Sequence, residues 1–354
     1  MNVTTIAITG ASGLVGQRLL PVLAERDAVT RLVGLDVRPP RRRARRLDFH
    51  LVDVARAELK PLLEGVDVLV HLASVVDPIP DEAVMARVNV DGTRRVLDAA
   101  AAVGVRRLVR VSSAAVYGAW ANNPVPLTED SPLRPNPGFS PAVQAAEVER
   151  LLAEWREDHP GVVVTTLRSA PVVGPGAERL PSRLLLGRPP VRVRGATPPV
   201  QAVHVDDLVA ALALVVLDDY PGTFNVAPDG WLDHAAAAAL LGASPVPALP
   251  AQVWTRLLGW SWTVGIGDVP PEALPYVMHP WVIANDRLRS LGWAPRHDNE
   301  EAIVDGLASL GPARSLRPWL ALAGGAFAGA SVTAWWLGRR WRRGARRATR
   351  PTPR

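Results

Sequence analysis

The amino-acid sequence predicts an α/β protein built on a doubly wound parallel sheet, with a smaller C-terminal lobe and a final apolar helix. Three observations predict it. An apolar run over residues 3–9 breaks into Thr9-Gly10-Ala11-Ser12-Gly13-Leu14-Val15-Gly16 and continues as a helix-like stretch. Through the first half of the chain, short apolar runs alternate with helix-like segments. An acidic residue, Asp36, closes the second apolar run. Strands separated by helices pair in parallel through right-handed crossovers and are covered on both faces. The expected result is a Rossmann-like sheet.

In order, strands are expected at 4–9, 31–36, 49–52, 66–73, 107–112 and 162–168, and helices at 14–25, 81–103 and 141–157. These make a nucleotide-binding domain over residues 1–173, to which segments of 203–227 return. From about Gly174, Pro, Gly and Trp become frequent and the alternation weakens. Residues 174–312 are read as a mixed lobe that closes over the ligand. Within it, the apolar stretch 253–267 is read as a core helix, because a membrane crossing there would split the lobe.

The 354 residues, 48% of them apolar, are enough for a full core and roughly two domains. With no cysteine there is no disulfide framework, thiolate nucleophile or Cys-ligated metal, and no metal site is expected. The net charge of +6 is unevenly placed. Residues 313–354 carry ten arginines and no acid, so residues 1–312 carry −4. A basic tail on a mildly acidic body, with no aromatic platform interleaved among the arginines, gives no nucleic-acid-binding module.

Residues 319–337 carry no charge. As a helix, nineteen residues span about 28 Å, close to the ~30 Å hydrocarbon core of a bilayer. Trp319 lies at one end and Trp335 and Trp336 at the other, and eight arginines follow. This is read as a membrane helix or an interfacial one with its arginines on anionic lipid, against the alternative of a helix packed on the body. The N-terminus has no basic segment followed by an apolar core, so the body is expected in the cytoplasm, attached to the cell membrane by the tail.

The glycine turn is built to hold a phosphate. It lets backbone N–H groups approach an anion at the positive end of a helix dipole. Asp36 ends the next strand, where a carboxylate accepts from both hydroxyls of an adenosine ribose and repels a 2′-phosphate. NAD is therefore expected over NADP. Arg38 and the run Arg41-Arg42-Arg43-Ala44-Arg45-Arg46 lie just downstream, either as a solvated loop or within reach of a phosphate.

Further motifs follow in a specific order. They are His71-Leu72-Ala73-Ser74, Asn89-Val90-Asp91-Gly92-Thr93, Val111-Ser112-Ser113-Ala114-Ala115-Val116-Tyr117-Gly118, Leu167-Arg168 before Gly174-Pro175, Val203-His204-Val205-Asp206-Asp207, Gly222-Thr223-Phe224-Asn225-Val226 and Leu291-Gly292-Trp293-Ala294-Pro295. With these the chain resembles the extended short-chain dehydrogenase/reductases, specifically the NAD-dependent epimerase/dehydratase family, over residues 3–307. The resemblance implies that Gly10, Gly13, Leu14, Val15 and Gly16 line the pyrophosphate. It places Asp36 on the ribose, Asp53 near the adenine, and Leu72, Ala73 and Ser74 beside the cofactor. It makes Ser113 the catalytic serine, with Tyr117 a second candidate, and Asn89 a brace. His204 and Asp206 anchor the second lobe. It further implies a homodimer through the helices at 81–103 and 141–157.

The chain departs from that family at one helix. The family carries Tyr-x-x-x-Lys there, two residues on one helix face: the Tyr moves the substrate proton, and the Lys binds the nicotinamide ribose and lowers the Tyr pKa. Here Pro141 takes the Tyr position and Ala145 the Lys position. Ser140 as N-cap with Pro141 as first helical residue would still start the helix. The single lysine, Lys60, precedes the fourth strand, and the only tyrosines are Tyr117, Tyr220 and Tyr276. Pro171 replaces the Asn that many sugar-nucleotide members place after Leu-Arg. Two functions stay open: an oxidoreductase or epimerase acting on a small or sugar-like carbonyl or alcohol, or a non-catalytic NAD(H)-binding sensor or scaffold at the membrane.

Overall fold

The computed structural model describes residues 4–310, apart from 42–43, 178, 188–190 and 243–246. Its centre is a seven-stranded, all-parallel sheet. The strands are β1 (Thr4–Thr9), β2 (Val29–Asp36), β3 (Leu47–Leu51), β4 (Val68–His71), β5 (Arg107–Ser113), β6 (Val163–Ser169) and β9 (Gly222–Val226). They lie in the order β3-β2-β1-β4-β5-β6-β9. Two short strands, β7 (Val172–Val173) and β8 (Val203–His204), pair with each other. Six strands fall where the sequence places them. The seventh, β9, pairs with β6 and closes the edge.

Side chains alternate along each strand, so each feeds two cores. Ile6, Ile8, Val68, Val70, Val109 and Leu167 face one layer, formed by α1 (Leu14–Ala24) and α7 (Val205–Leu217). Ala7, Leu69, Leu108 and Val164 face the other. That layer is α2 (Lys60–Leu63), α4 (Gly92–Val103) and α5 (Ser140–Asp158). Burial on both faces is why the inner strands β1 and β4 read as apolar runs.

The helix expected at 81–103 is not one regular helix. α3 (Glu82–Ala86) passes through a wide π-helical turn, Arg87–Asp91, before α4 begins. The wide turn presents Asn89 to the loop after β4. Its Oδ1 accepts from Val75 N at 2.7 Å, and its Nδ2 donates to Val75 O at 3.0 Å and to Gln144 Oε1 at 2.9 Å. Asn89 is thus a brace between that loop and α5.

Short helices build the second lobe: α6 (Leu180–Leu186), α8 (His234–Leu241), α9 (Ala251–Thr263), α10 (Asp286–Ser290) and α11 (Asn299–Ser309). His204 joins it to the sheet. Its Nδ1 accepts from Asp206 N at 3.2 Å, capping α7, so its Nε2–H donates to Asp305 Oδ2 on α11 at 2.9 Å. Asp206 also meets Arg18 of α1 at 3.3 Å. Of the stretch at 253–267 the helix α9 covers residues up to Thr263, with Val264 its C-cap, and only one face of it is core. Trp254, Leu258 and Ser261 face inward, while Val253, Leu257, Trp260 and Val264 are exposed. Among the described residues no helix is long and apolar enough to cross a membrane. The segment at 319–337 lies outside them.

Candidate active site

Strand order reverses between β1 and β4, each of which starts the chain outward in an opposite direction. Ligands of open α/β sheets bind at the carboxyl ends of the strands at such a point. Gly10 follows β1 with φ +71°, and a Cβ there would lie 2.7 Å from the backbone of Leu72 and Ala73 after β4. A Cβ on Gly16 would lie 2.6 Å from Gly10 O and 2.8 Å from Ala11 Cα. The first glycine is needed for conformation and space, and the third for close packing of α1. Gly13 is the N-cap of α1 and makes no side-chain cap, which leaves the first-turn N–H groups of Leu14, Val15 and Gly16 for an anion.

Asp36 is joined to this turn. Its Oδ2 accepts from Ser12 N at 2.9 Å, its Oδ1 accepts from Arg38 N at 2.9 Å, and Ser12 Oγ donates to Arg38 O at 2.7 Å. The carboxylate is 7% exposed and keeps lone pairs for hydroxyl donors. Arg38 Nε lies 3.9 Å from it on a mostly exposed side chain. In the arginine run, Arg46 Nη1 donates to Arg26 O at 3.2 Å and to Val29 O, so this residue clamps the loop to β2. Asp53, just past β3, accepts from Ala55 N at 3.0 Å and lies 3.5 Å from Arg56. Val52 N donates to Asp36 O at 2.8 Å, which brings Asp53 to the same edge as Asp36.

Leu72, Ala73 and Ser74 are fixed against the turn. Leu72 N donates to Thr9 O at 3.0 Å, Ala73 N to Thr9 Oγ1 at 3.2 Å, and Ser74 Oγ to Asn89 Oδ1 at 3.3 Å. Behind them runs a buried chain. Thr93 Oγ1 gives its one proton to Asn89 O, so His71 Nε2 is the donor to Thr93 at 2.9 Å and Nδ1 accepts from Thr9 Oγ1 at 2.7 Å. Full burial, with Arg110 nearby, lowers the His71 pKa to about 3 and keeps the ring neutral.

Ser113 ends β5 and is half-buried. Its Oγ accepts from Ala115 N at 3.2 Å and retains a proton to donate. Tyr117 does not join it. The side chain is fully buried, its hydroxyl donates to Asn225 Oδ1 at 2.8 Å and accepts from Arg168 Nη1 at 2.8 Å, and burial pushes the phenol up to about 12. A hydroxyl so enclosed and so hard to ionise reaches no substrate. Tyr117 is a core residue, which corrects its candidacy as an acid or base.

The start of α5 also differs from expectation. Phe139 is the N-cap and Ser140 is already helical, because Ser140 Oγ donates to Glu82 of α3 instead of capping. Pro141 and Ala145, one helical turn apart, carry a pyrrolidine ring and a methyl, neither of which can move a proton. Sequence reasoning missed what holds this helix. Glu149 Oε2 accepts from Arg168 Nε at 2.9 Å and Nη2 at 2.6 Å, and its Oε1 accepts from Ser112 Oγ at 2.5 Å. All three are buried. The signal available was the acidic residue inside an otherwise apolar helix face.

Comparison with known proteins agrees with this geometry. A family model described as the NAD dependent epimerase/dehydratase family matches residues 6–227. The 3-diazoavenalumate denitrifying reductase of Streptomyces sp is 34% identical over 318 residues, covering 82% of this chain and 96% of that protein. The dTDP-glucose 4,6-dehydratase of Streptomyces griseus is 30% identical over 234 residues, covering 60% of this chain and 69% of that protein. Among solved structures, MoeE5 in complex with UDP-glucuronic acid and NAD superposes with a TM-score of 0.66 at 23% identity, covering 86% of this chain and 98% of that one. The NAD complex of Thermus thermophilus UDP-glucose 4-epimerase gives 0.65 at 21% identity, with the same coverage. A glycine turn at the order reversal, a buried carboxylate at the end of β2 and a family-model match over residues 6–227 identify the chain as a member of the NAD dependent epimerase/dehydratase family.

Proposed function

We propose that the chain is an NAD(H)-dependent oxidoreductase that reduces a small carbonyl compound. The observation that carries this reading is the Gly10–Gly16 turn joined to Asp36 at the order reversal. The cradle fits the cofactor: glycines where a Cβ would collide, open first-turn N–H groups, and a buried carboxylate facing the ribose side. NADH, when bound, supplies the hydride. Ser113 donates a hydrogen bond to the substrate carbonyl oxygen and polarises it, keeping its own proton. Neither Pro141 nor Ala145 can exchange a proton with the substrate, so the alkoxide left by hydride addition takes its proton from water. A relative whose name is that of a reductase supports the same direction.

The test begins with NADH fluorescence. The wild-type chain should bind NADH, and Asp36→Ala should bind it about tenfold to a hundredfold more weakly, since hydrogen bonds to a charged group contribute about 1.5–3 kcal/mol. No affinity for NAD or NADH would end the reading. Cofactor binding with no oxidation of NADH across a broad carbonyl panel would favour the sensor or scaffold, the reading that Pro141 and Ala145 also support.

We also propose that the uncharged segment at 319–337 and the arginines after it hold the body at a membrane. The exposed stripe Val253, Leu257, Trp260 and Val264 on α9 supports this, because an apolar helix face with a tryptophan suits the headgroup boundary. Cells expressing the full chain should carry it in the membrane fraction, and removal of residues 313–354 should release it. Equal solubility of the two forms would refute the anchor.

A further inference from the structure

A small chamber lies beside the carboxyl end of β6, where Pro171 follows the strand. It has a volume of about 100 Å³ and is walled by Leu184 and Leu185 of α6, Ala238 and Leu241 of α8, and Val277 and Trp281. Tyr276 links it to the site already described. The Tyr276 hydroxyl donates to Ala115 O at 2.9 Å, and Ala115 N donates to Ser113 Oγ.

Most polar groups of the lining are already engaged, and among the described residues two keep free capacity, Arg192 and His234 at the start of α8. Trp281 Nε1 donates to Tyr276 O at 3.0 Å. The Gln201 amide donates to Gly230 O at 2.8 Å and Ile283 O at 3.0 Å, and accepts from Ile283 N at 2.9 Å. Pro171 has no amide to offer, and its carbonyl accepts from Val203 N at 2.9 Å. Arg192 is the charged one of the two. Its backbone carbonyl is pinned by Trp254 Nε1 at 2.7 Å and Leu249 N at 3.1 Å. Among the described residues its guanidinium makes one hydrogen bond, to Gly242 O at 3.3 Å, and no ion pair. A positioned cation therefore borders a mostly apolar chamber, with the His234 imidazole on the same lining.

Size and chemistry both select the occupant. The volume is of the order of the roughly 150 Å³ apolar cavity that takes a benzene ring, and well below the ~300–1,000 Å³ of pockets that enclose larger ligands. A sugar ring would bring several hydroxyls to a wall where Trp281, Gln201 and Pro171 are engaged and only Arg192 and His234 are open, and each unmade bond would weaken binding by about tenfold. Resting on the reading of Ser113 as the group facing the carbonyl, we propose that the chamber is the substrate subsite. Its ligand is a compact aromatic or branched carbonyl compound bearing a carboxylate, with the apolar body against Trp281 and Leu184 and the carboxylate on Arg192.

The experiment is calorimetric titration of the full chain with benzoylformate, benzaldehyde and UDP-glucose, with and without NADH. Benzoylformate should bind about tenfold or more tightly than benzaldehyde, and Arg192→Gln should erase that difference while leaving NADH affinity unchanged. Ala238→Phe, which fills the chamber, should remove binding of both aromatic probes and also leave NADH affinity unchanged. Equal binding of the two aromatic probes by the wild type, an Arg192→Gln variant that behaves like it, or preferential binding of UDP-glucose would each overturn the proposal. Loss of NADH affinity in the wild type would overturn the hydride-transfer reading, while the cofactor-free titrations still score the chamber.

Discussion

Glu149→Ala is expected to destabilise the protein by about 3–5 kcal/mol, the cost of removing one partner from a buried ion pair. The pair is unusually exposed to this loss because one carboxylate faces two buried guanidinium groups. Arg168 is 7% exposed and bonded to Glu149 through two nitrogens. Arg110 is 4% exposed, its Nε has no hydrogen-bond partner, and burial lowers its pKa to about 10 against the opposing pull of Glu149. Without the carboxylate, Arg168 loses its one ion pair among the described residues, Arg110 loses the charge that holds it protonated, and Ser112 Oγ loses its acceptor. Urea unfolding of the wild type, Glu149→Ala, and Glu149→Ala combined with Arg168→Met gives the test. The double variant should recover part of the loss, since it removes one stranded charge. A loss below about 1 kcal/mol for the single variant would mean that the pair contributes no more than an exposed one.

The second large effect is a pH dependence that originates at His71. Above the unfolded-state value of about 6.5, the ring is neutral whether the chain is folded or not, and it costs nothing. Between about pH 6.5 and 3 the unfolded chain binds a proton that the folded one refuses, because the folded ring titrates only near 3. Stability therefore falls with pH in that window, by about 1.4 kcal/mol per pH unit once well below 6.5. Asp48, held low by its hydrogen bond from Arg31, and Asp67, where burial is outweighed by Thr5 N–H and Arg106, add their own loss only in the carboxylate range below this window. Urea midpoints from pH 7 to 4.5 should slope steeply for the wild type. His71→Asn, with no titratable ring, should be flatter over the same range whatever its stability at pH 7. Parallel slopes would show that His71 is protonated in the folded state.

What the sequence disclosed, and what it hid, follows from the range of the forces involved. The turn at Gly10 and Gly16 was legible because each glycine answers a local demand, one for a positive φ and both for closeness of backbone. The inner strands β1 and β4 were legible because burial on two faces favours apolar runs, while the edge strand β3, Leu47–Leu51, is only partly buried. Position along the helices was less so. The π-helical turn at Arg87–Asp91 puts Asn89 against Val75 and Gln144, partners far along the chain. Ser140 has good capping chemistry, yet Glu82 from another helix takes its hydroxyl. Tyr117 sits in a motif that invites a catalytic role, and only the packing of Arg168 and Asn225 around it shows that it lies in the core. Local preference set each expectation, and a contact made across the fold decided each outcome.

The bond from Asp36 to Ser12 has a consequence for how a nucleotide would arrive. Fixing a backbone residue costs about 1–2 kcal/mol in lost conformational freedom. Here that loss falls within the folding of the chain, because the carboxylate holds the phosphate loop from the neighbouring strand with no guest in place. An incoming dinucleotide meets a rigid saddle at its adenosine end. Its capture should therefore be a single fast phase, with a heat-capacity change set by the surface it covers and no added contribution from an ordering loop.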